Sequence, residues 1–343
     1  MKELLKKLCL AFGVSGLEDE VRSIVEGELS ENCPQGSELI TDKLGGIYLH
    51  IKNENAPRLM ICAHLDEVGF MVTGITDNGK IQFGCVGGID PLVVGAKRVI
   101  FENGIRGVVT MKPIHLLSKE ERKSPPKIED MYVDIGVRSR EEALARVSIG
   151  DYFTFDSEFV ELGDNQIKAK ALDDRHGVAT MLYAIRELKK SGKKSKYDLY
   201  FAFTCREEVG YSGAICATEI IKPDYAIVIE SKAVLDLPEI SEDKSVGTLG
   251  EGGIISYADK GAIMDRALTE ELISVCEEND IKYQINRAVS GGNDTSAIQR
   301  GSAGTRVALI SAPSRYIHSG SSVISYSDFE SNCRAIYAFI TKE

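Results

Sequence analysis

Five consecutive apolar residues, Leu59 to Ala63, constrain the fold more than any other stretch of this chain. A strand with one face in water alternates apolar and polar residues, whereas a short unbroken apolar run is typical of a strand buried on both faces. Further strands of this kind are predicted at Tyr197 to Thr204, Tyr225 to Ile229 and Arg306 to Ile310. Helical patterns alternate with these strands at Val178 to Leu188, Gly213 to Ile220, Asp265 to Asn279 and Asp328 to Thr341. The sequence therefore predicts an α/β fold, a sheet with helices on both faces.

The N-terminal segment predicts two more helices. Leu4, Leu5, Leu8 and Phe12 fall on one helical face, so the first helix covers about the first dozen residues. The residues from Ser15 to Glu18 have the S-x-x-E form of a capping box, which predicts that a second helix begins there.

The pattern changes between Val68 and Lys168, where short strand-like runs are separated by turn signals. Asn78-Gly79 and Asn103-Gly104 each lie between two such runs, and Asn-Gly in that position is a strong hairpin signal. We therefore expect an all-β, barrel-like domain at 68–168, inserted into an α/β domain formed by 1–67 and 169–343. Within the insert, His115 to Asp130 is charged and contains Pro125-Pro126, which predicts an exposed loop.

Charge and composition exclude several classes of function. The chain of 343 residues carries 52 acids against 41 bases, a net charge of -11, which argues against a nucleic-acid or anionic-membrane partner. No apolar run approaches the roughly 20 residues of a membrane span, and the N-terminus has no signal-peptide pattern. The eight cysteines include no CxxC pair and predict reduced thiols. A cytoplasmic location is expected.

Polar residues follow the predicted sheet strands at the point where each strand ends. His64 and Asp66 follow the first strand, Glu207 and Glu208 the second, Glu230 the third, and His318 comes shortly after the fourth. In an open α/β sheet, ligands bind at the carboxyl ends of the strands. These side chains are therefore expected to converge there, together with Asp173, which precedes the helix that begins at Val178.

Each of these residues also has an ordinary structural explanation. Asp173 and Asp174 are good helix caps, and adjacent acids such as Glu207 and Glu208 suit a helix N-terminus. A lone histidine after a strand is more often structural, and Glu230 is consistent with a surface acid. Their shared location favours one site, and several acids packed together without cations would repel one another.

Five candidate ligands suit two divalent metal ions. They are His64, Asp173, Glu208, Glu230 and His318. Imidazole and carboxylate donors together favour zinc, with cobalt or manganese as competitors. If Asp173 bridges, each metal has one histidine, one terminal carboxylate and an open position, as in a catalytic site. Asp66 is then placed to orient His64, and Glu207 to act as the general base.

Four motifs occur in an order that resembles a known family. Ala63-His64-Leu65-Asp66-Glu67-Val68-Gly69-Phe70, Ala171-Leu172-Asp173-Asp174-Arg175, Glu207-Glu208-Val209-Gly210 and Tyr316-Ile317-His318-Ser319 resemble the dinuclear metallo-aminopeptidases that form tetrahedral (TET) particles. This family also includes glutamyl aminopeptidases and proteins named endoglucanases. The resemblance covers essentially the whole chain.

The resemblance implies a phosphorylase/hydrolase-like catalytic domain, an inserted β domain that mediates dimerisation, and further assembly into a dodecamer. It implies removal of N-terminal residues from peptides with a free N-terminus. Carried onto this chain, Asp173 bridges the metals, His64 and Glu230 complete one, and Glu208 and His318 complete the other. Glu207 is then the base and Asp66 supports His64.

The chain departs from the family pattern in two places. The family commonly has aspartate where this chain has Glu230. The stretch Gly291 to Thr295 varies from the usual Gly-Gly-Thr-Asp loop, and it either borders the substrate site or forms a glycine turn before a helix at Ser296.

Other functions remain open from the sequence alone. A metal-dependent deacylase of N-acylated small molecules would use the same ligands. A glycosidase would use Glu207 and another acid as its paired carboxylates but leaves both histidines without a role. A metal-stabilised assembly protein without enzymatic activity is the last alternative, and open coordination positions argue against it.

Overall fold

In a computed structural model of the chain, residues 1–236, 238 and 246–342 are described. They form a large mixed sheet, a closed β-barrel and eight α-helices. The helices are α1 Lys2–Leu10, α2 Asp19–Asn32, α3 Arg140–Leu144, α4 Leu172–Ser191, α5 Ser212–Ile221, α6 Arg266–Glu278, α7 Thr295–Arg300 and α8 Tyr326–Ile340. The strands are β1 Glu38–Thr41, β2 Ile47–Ile51, β3 Arg58–His64, β4 Gly69–Ile75, β5 Ile81–Val86, β6 Arg98–Phe101, β7 Arg106–Thr110, β8 Tyr132–Asp134, β9 Tyr152–Phe155, β10 Val160–Leu162, β11 Gln166–Ala169, β12 Asp198–Thr204, β13 Tyr225–Ala233, β14 Gly253–Ser256, β15 Tyr283–Ile285, β16 Arg306–Arg315 and β17 Ser322–Ser325.

The main sheet has 11 strands, nine of them in the order β1-β2-β12-β3-β13-β16-β17-β11-β10, while β14 pairs with β15 and β16. Its centre is parallel, because β12, β3, β13 and β16 pair in the same direction. The flanking strands β2 and β17 are antiparallel to their neighbours. The carboxyl ends of four central strands therefore meet at one edge of the sheet.

The central strands are buried on both faces, as the apolar runs predict. Along β3, Leu59, Ile61 and Ala63 belong to a core shared with α1, α2, α4, α6 and α8. Met60 and Cys62 point to the opposite face and pack with residues of α5 and α7. This alternation follows from the two-residue period of a strand. The predicted α/β sheet with helices on both faces is confirmed.

The barrel closes in the order β4-β5-β8-β7-β6-β9, and all its pairings are antiparallel. Its core is apolar and contains several phenylalanines. Phe70 and Phe153 stack with their ring centroids 5.0 Å apart, and Phe101 lies 4.8 Å from Phe153. The predicted barrel-like β structure is confirmed. The exact domain limits, 68–168 within 1–67 and 169–343, stay a prediction, and β10 and β11 pair within the main sheet.

Two local predictions need correction. The Ser15 hydroxyl caps no helix: α2 begins at Asp19, and Ser15 Oγ instead donates to Asp66 Oδ2 at 2.6 Å. Glu230 lies within β13, which continues to Ala233 instead of ending at Ile229. Strand β13 continues because residues 230–233 keep their pairing with β16. Within the described residues, no helix is long and apolar enough to cross a membrane.

Candidate metal centre

Asp173 lies between the two predicted histidine ligands. Its Oδ1 is 3.3 Å from His64 Nε2, and its Oδ2 is 3.3 Å from His318 Nε2. The two oxygens of one carboxylate thus face two imidazoles that are 254 positions apart in the numbering (318 − 64). This is the arrangement of a carboxylate shared between two neighbouring sites.

Glu230 and Glu208 extend this arrangement on either side. Glu230 Oε1 is 3.7 Å from His64 Nε2, and Glu208 Oε1 is 3.2 Å from His318 Nε2. All five residues predicted as metal ligands therefore lie in one cluster. Ligand atoms of His64, Asp173 and Glu208 are also within 4.8 Å of one another, which is close enough to surround a cation.

The backbone positions these side chains at the carboxyl ends of adjacent strands. His64 is the last residue of β3, and Glu230 lies on the neighbouring strand β13. Asp173 and Asp174, joined by a cis peptide bond, have non-helical backbone angles at the start of α4. His318 itself has a positive φ of 58°, a conformation uncommon for a residue with a side chain. Residues with a side chain and a positive φ are found more often at functional sites than elsewhere.

Both imidazoles are oriented in the same way. His64 Nδ1 is 3.1 Å from the carbonyl oxygen of Asp66, and His318 Nδ1 is 2.6 Å from that of Gly88. A carbonyl oxygen only accepts hydrogen bonds, so each Nδ1 carries a hydrogen. Each Nε2 is then the atom that faces the carboxylates. An imidazole with Nδ1–H held by an acceptor and Nε2 free is the usual form of a histidine metal ligand.

Asp66 supports the cluster more broadly than the sequence predicts. Its Oδ1 is 3.4 Å from His64 Nδ1, farther than its own carbonyl oxygen. The carboxylate also accepts the backbone N–H groups of Glu207 at 2.9 Å and Glu208 at 3.2 Å, besides the Ser15 hydroxyl. Asp66 therefore holds the loop that carries both glutamates, and it also contacts the imidazole of His64.

The histidines respond strongly to the surrounding acids. Burial opposes the charged form of His318, but Asp173 and Glu208 outweigh burial and raise its pKa to about 11. Burial likewise opposes protonation of His64, yet Asp173, Asp66 and Glu230 raise its pKa well above the usual range. In the chain by itself, the cluster thus favours added positive charge.

The acids divide into two groups. Burial raises the pKa of Glu230, and the negative charge of Asp173 raises it further. Burial also raises the pKa of Glu207; His64 lowers that pKa, and the charge of Glu230 raises it. Burial opposes ionisation of Asp173 too, but His318 and His64 hold its pKa well below the usual range. The ionised Asp173 is therefore at the electrostatic centre of the cluster.

Carboxylate oxygens without a hydrogen-bond partner show whether metal ions fit these residues. Asp173 Oδ1 and Glu208 Oε1 are buried and have no hydrogen-bond donor among the described residues. A buried carboxylate oxygen without a donor is costly, and a cation removes that cost. The two imidazole nitrogens and the carboxylate oxygens are the donor types that zinc and related divalent ions bind. The residues present fit divalent metal ions.

The comparison with protein families decides the classification. The M42 glutamyl aminopeptidase family model matches residues 45–334, which include every residue of the cluster. The chain belongs to the M42 glutamyl aminopeptidase family. It is accordingly a hydrolase with peptidase activity, and the predicted family is confirmed.

Relatives of this M42 chain share nearly its full length. A TET aminopeptidase structure from Thaumarchaeota archaeon SCGC AB-539-E09 is 33% identical with a TM-score of 0.95, and covers 99% of this chain and 96% of that one. A structure of the Pyrococcus horikoshii TET1 peptidase, described as assembling into a tetrahedron or a large octahedral shell, is 33% identical with a TM-score of 0.87, covering 100% and 99%. The lysyl aminopeptidase of Pyrococcus furiosus is 31% identical, covering 92% of this chain and 90% of the relative. Since the family description names glutamyl and this relative lysyl, membership alone leaves the preferred N-terminal residue open.

Sequence reasoning missed two acids of this M42 site. The sequence indicates only a helix cap at Asp174, yet one of its carboxylate oxygens lies within 4.8 Å of a ring nitrogen of His64 and a carboxylate oxygen of Glu230. Its Oδ2 has no donor among the described residues. Asp294 accepts from Thr204 Oγ1 at 2.8 Å, and burial raises its pKa to about 6. Two consecutive aspartates beside an apolar run, only one of which is needed as a cap, were the signal for Asp174.

A cavity of about 570 Å³ opens beside the cluster. Glu207, predicted as the base, lines it and is 7% exposed. Gly291 and Gly292 also line the cavity, so this loop, for which the sequence leaves two interpretations open, borders it. Helix α7 begins only at Thr295, directly after that loop.

Proposed function

We propose that this M42 peptidase removes N-terminal residues from peptides with the help of two divalent metal ions. The observation that carries this proposal is Asp173, whose two oxygens each lie 3.3 Å from a different histidine. A single carboxylate between two imidazoles, with a glutamate beside each imidazole, supplies matching sets of donors to two cations.

The ligands divide around Asp173. His64 and Glu230 would hold one cation, Glu208 and His318 the other, and Asp173 would contribute to both. Asp174 lies near His64 and Glu230, but it does not face His318, so we assign the shared position to Asp173. Zinc is the first candidate from the donor types, with cobalt and manganese as alternatives.

When bound, the metal ions would polarise the scissile carbonyl and lower the pKa of a water molecule so that it attacks near neutral pH. Glu207 would accept the proton of the attacking water and deliver it to the nitrogen of the leaving peptide. It lines the cavity, and its backbone N–H donates to Asp66 at 2.9 Å, which keeps its loop fixed. Asp66 and Gly88 hold the two imidazoles in orientation through their carbonyl oxygens.

We also propose that the chain forms homo-oligomers, beginning with a dimer through the inserted β domain at 68–168. This proposal is supported by the similarity to the Pyrococcus horikoshii peptidase that assembles into shells. It is also supported by large apolar residues exposed on the insert, including Leu92 at 66% and Ile114 at 73%. A contact with a second chain would remove these apolar side chains from water. A dodecamer is the expected final assembly.

Metal removal and restoration test the proposed function. The chelated protein should not hydrolyse leucine p-nitroanilide, and zinc, cobalt or manganese should restore hydrolysis. Glu207→Gln should keep its bound metal, measured by mass spectrometry, while kcat falls by about 10² to 10⁴. The matched control is Glu187→Gln, an acid on α4 outside the cavity, which should retain full activity. Full hydrolysis by the metal-free protein, or cleavage of acetyl-leucine p-nitroanilide in preference to the free amine, would contradict the proposal.

A further inference from the structure

We propose that the hydroxyl group of Tyr211 donates a hydrogen bond to the carbonyl oxygen of the scissile peptide bond and stabilises the negative charge that develops there during hydrolysis. The proposal rests on the proposed function, which it deepens by naming a further catalytic residue of the same site. Tyr211 and Glu207 both lie in the loop between β12 and α5, and both line the cavity of about 570 Å³.

This loop holds Tyr211 in a defined position relative to Glu207. The backbone N–H groups of Gly210 and Tyr211 each donate to the carbonyl oxygen of Glu207 at 3.1 Å. Tyr211 has a positive φ of 62° directly before α5, a conformation that a residue with a side chain keeps only when its surroundings hold it there. Its ring packs against the apolar core that contains Ala214 of α5 and Ile298 of α7. The phenol and the proposed base are therefore carried by one short loop of fixed geometry.

The hydroxyl of Tyr211 is available as a donor. It has no hydrogen-bond partner among the described residues. A β-carbon on Gly292 would lie only 3.1 Å from the hydroxyl oxygen, so the glycine leaves the space into which the hydroxyl extends. Burial raises the pKa of the Tyr211 hydroxyl, and the negative charges of Glu207 and Asp294 raise it further. The group therefore stays protonated in neutral solution and can donate to an oxygen.

Ser311 and Lys232 are two further donors in the cavity lining. Ser311 Oγ is buried and has no partner among the described residues. Lys232 Nζ donates to the carbonyl oxygen of Ser290 at 2.6 Å, which uses one of its three hydrogens. Both residues belong to the central strands, where Ser311 of β16 is the pairing partner of Glu230 on β13. Neither lies on the loop that carries the base.

The position of the base decides among these donors. The attacking water lies between the base and the carbonyl carbon, so the carbonyl oxygen must be within a few ångströms of Glu207. Charges act more strongly at shorter distance. Among the acids, Glu207 acts most strongly on the Tyr211 hydroxyl, whereas Asp259 and Glu230 act on Lys232. Tyr211 is therefore the donor on the side of the base.

The hydrogen bond of Tyr211 acts at one step of the reaction. When water attacks, a C–O bond forms, the π electron pair of the carbonyl moves to its oxygen, and Glu207 takes a proton from the water. Tyr211 keeps its own proton and shares it with the charged oxygen. When the C–N bond breaks, the electron pair returns to the carbonyl and Glu207 passes its proton to the leaving nitrogen. A donor that meets charge only at this step raises kcat rather than substrate affinity.

The test is Tyr211→Phe in the metal-loaded protein, because this change removes the hydroxyl and keeps the ring. We expect kcat on leucine p-nitroanilide to fall by about 10- to 100-fold, since the metal ions share the charge and a sole donor would be worth about 10²- to 10³-fold. KM should change by less than about twofold. Bound metal per chain, measured by mass spectrometry, should equal that of wild type.

Two ligands separate the developing charge from ordinary binding, with affinities measured by calorimetry. The affinity for 1-amino-3-methylbutylphosphonic acid, a tetrahedral anion, should fall by a factor similar to that in kcat. The affinity for isoamylamine, which has the amine and side chain of leucine but no carbonyl oxygen, should not change. Tyr132→Phe is the matched control, because it removes the same hydroxyl from a half-buried tyrosine on β8 of the barrel, and it should behave as wild type.

The outcomes separate the two proposals. If the metal-loaded wild type does not hydrolyse leucine p-nitroanilide, both fail. If wild type is active and Tyr211→Phe keeps its kcat and its affinity for the phosphonic acid, only the role of Tyr211 is overturned. A parallel loss of isoamylamine affinity or of bound metal would also overturn it, because the tyrosine would then act by holding the loop. If Ser311→Ala, but not Tyr211→Phe, loses affinity for the phosphonic acid, the donor is Ser311 and the proposal is wrong.

Discussion

The candidate metal centre and the barrel core bury opposite kinds of residue. The barrel encloses phenylalanines and aliphatic side chains such as Phe70, Phe153 and Val133. The carboxyl edge of the main sheet instead buries ionisable groups, among them His64, Asp66, Asp173, Asp174, Glu207 and Glu230. A core of the first kind is stabilised by removing apolar surface from water. A core of the second kind costs free energy until opposite charges are brought to it.

This difference separates stability from function within one chain. Each buried phenylalanine contributes about 1.5–3 kcal/mol by leaving water, so the barrel needs no ligand to be stable. Among the described residues, two histidines lie in direct contact with Asp173 to balance the clustered acids. Substitutions at the sheet edge should therefore change activity and metal binding. Substitutions in the barrel should instead change the free energy of unfolding.

The largest effect is expected for Asp173→Asn. An amide has only one oxygen to offer, so one of the two positions beside the imidazoles loses its shared ligand. We expect kcat/KM on leucine p-nitroanilide to fall by about 10³-fold or more, and bound metal per chain to fall as well. The matched control is Asp156→Asn at the end of β9, an acid 3.6 Å from Arg98 and 3.4 Å from Arg106.

Ion pairs of that exposed kind contribute about 0–1 kcal/mol, so the Asp156 variant should keep its activity and its metal. Equal loss of activity in the two variants would contradict the expectation that activity depends on the acids at the sheet edge and not on those of the barrel. Loss of metal in the Asp173 variant without loss of activity would show that the metal is not catalytic.

The converse substitution is Phe153→Ala in the barrel. Phe153 is fully buried and contacts three other rings, those of Phe70, Phe83 and Phe101. Its removal should lower the free energy of unfolding by about 3–5 kcal/mol, as measured by urea unfolding. The activity of the remaining folded protein, per bound metal, should be unchanged within about twofold. Thr73→Ala, on an exposed position of β4, should change stability by less than about 0.5 kcal/mol.

The sequence predicts those features of both regions that depend on local patterns. The buried strand at Leu59 to Ala63 and the hairpins around the Asn-Gly turns depend on local patterns, and both are present in the structure. The convergence of His64, Asp173 and His318 was also predictable, because polar residues at strand ends meet at one edge of a parallel sheet.

What the sequence does not predict depends on contacts between distant residues. Ser15 matched a capping box, but a buried Asp66 51 positions later competes for its hydroxyl. Strand β13 continues past Glu230 because β16 pairs with it, and no local signal marks that extension. Lys232 donates to the carbonyl oxygen of Ser290, 58 positions later, and no local sequence signal marks that contact.

Asp328 tests whether every buried acid of the main domain needs a metal. It lies on α8, and burial raises its pKa to about 6, although the N–H groups of Gly250 and Gly252 act in the other direction. Between about pH 4 and 6 the folded protein holds a proton that the unfolded chain has released. Stability should therefore fall as the pH rises through this range. The difference in free energy of unfolding between wild type and Asp328→Asn should decrease by about 1–2 kcal/mol from pH 4 to 6, then remain constant. An increase over the same range would mean that Asp328 is ionised with a cationic partner, as in the metal centre.

The smallest effect is expected for Ser15→Ala. This substitution tests the hydrogen bonds of Asp66 beside the candidate metal ligands. Ser15 Oγ donates to Asp66 Oδ2 at 2.6 Å, and the same carboxylate holds the N–H groups of Glu207 and Glu208. Losing one of these donors should cost about 1 kcal/mol of stability. It should also lower kcat on leucine p-nitroanilide by about threefold to tenfold, because the loop carrying Glu207 is held less firmly.

Ser37→Ala is the matched control, since the Ser37 hydroxyl donates to the carbonyl oxygen of Pro34 away from the cluster. Its stability loss should be similar or smaller, and its kcat should equal that of wild type. If the two serine variants lose stability equally and neither loses activity, Asp66 only maintains the fold. If only Ser15→Ala loses activity, a hydrogen bond outside the metal ligands contributes to catalysis by positioning the base.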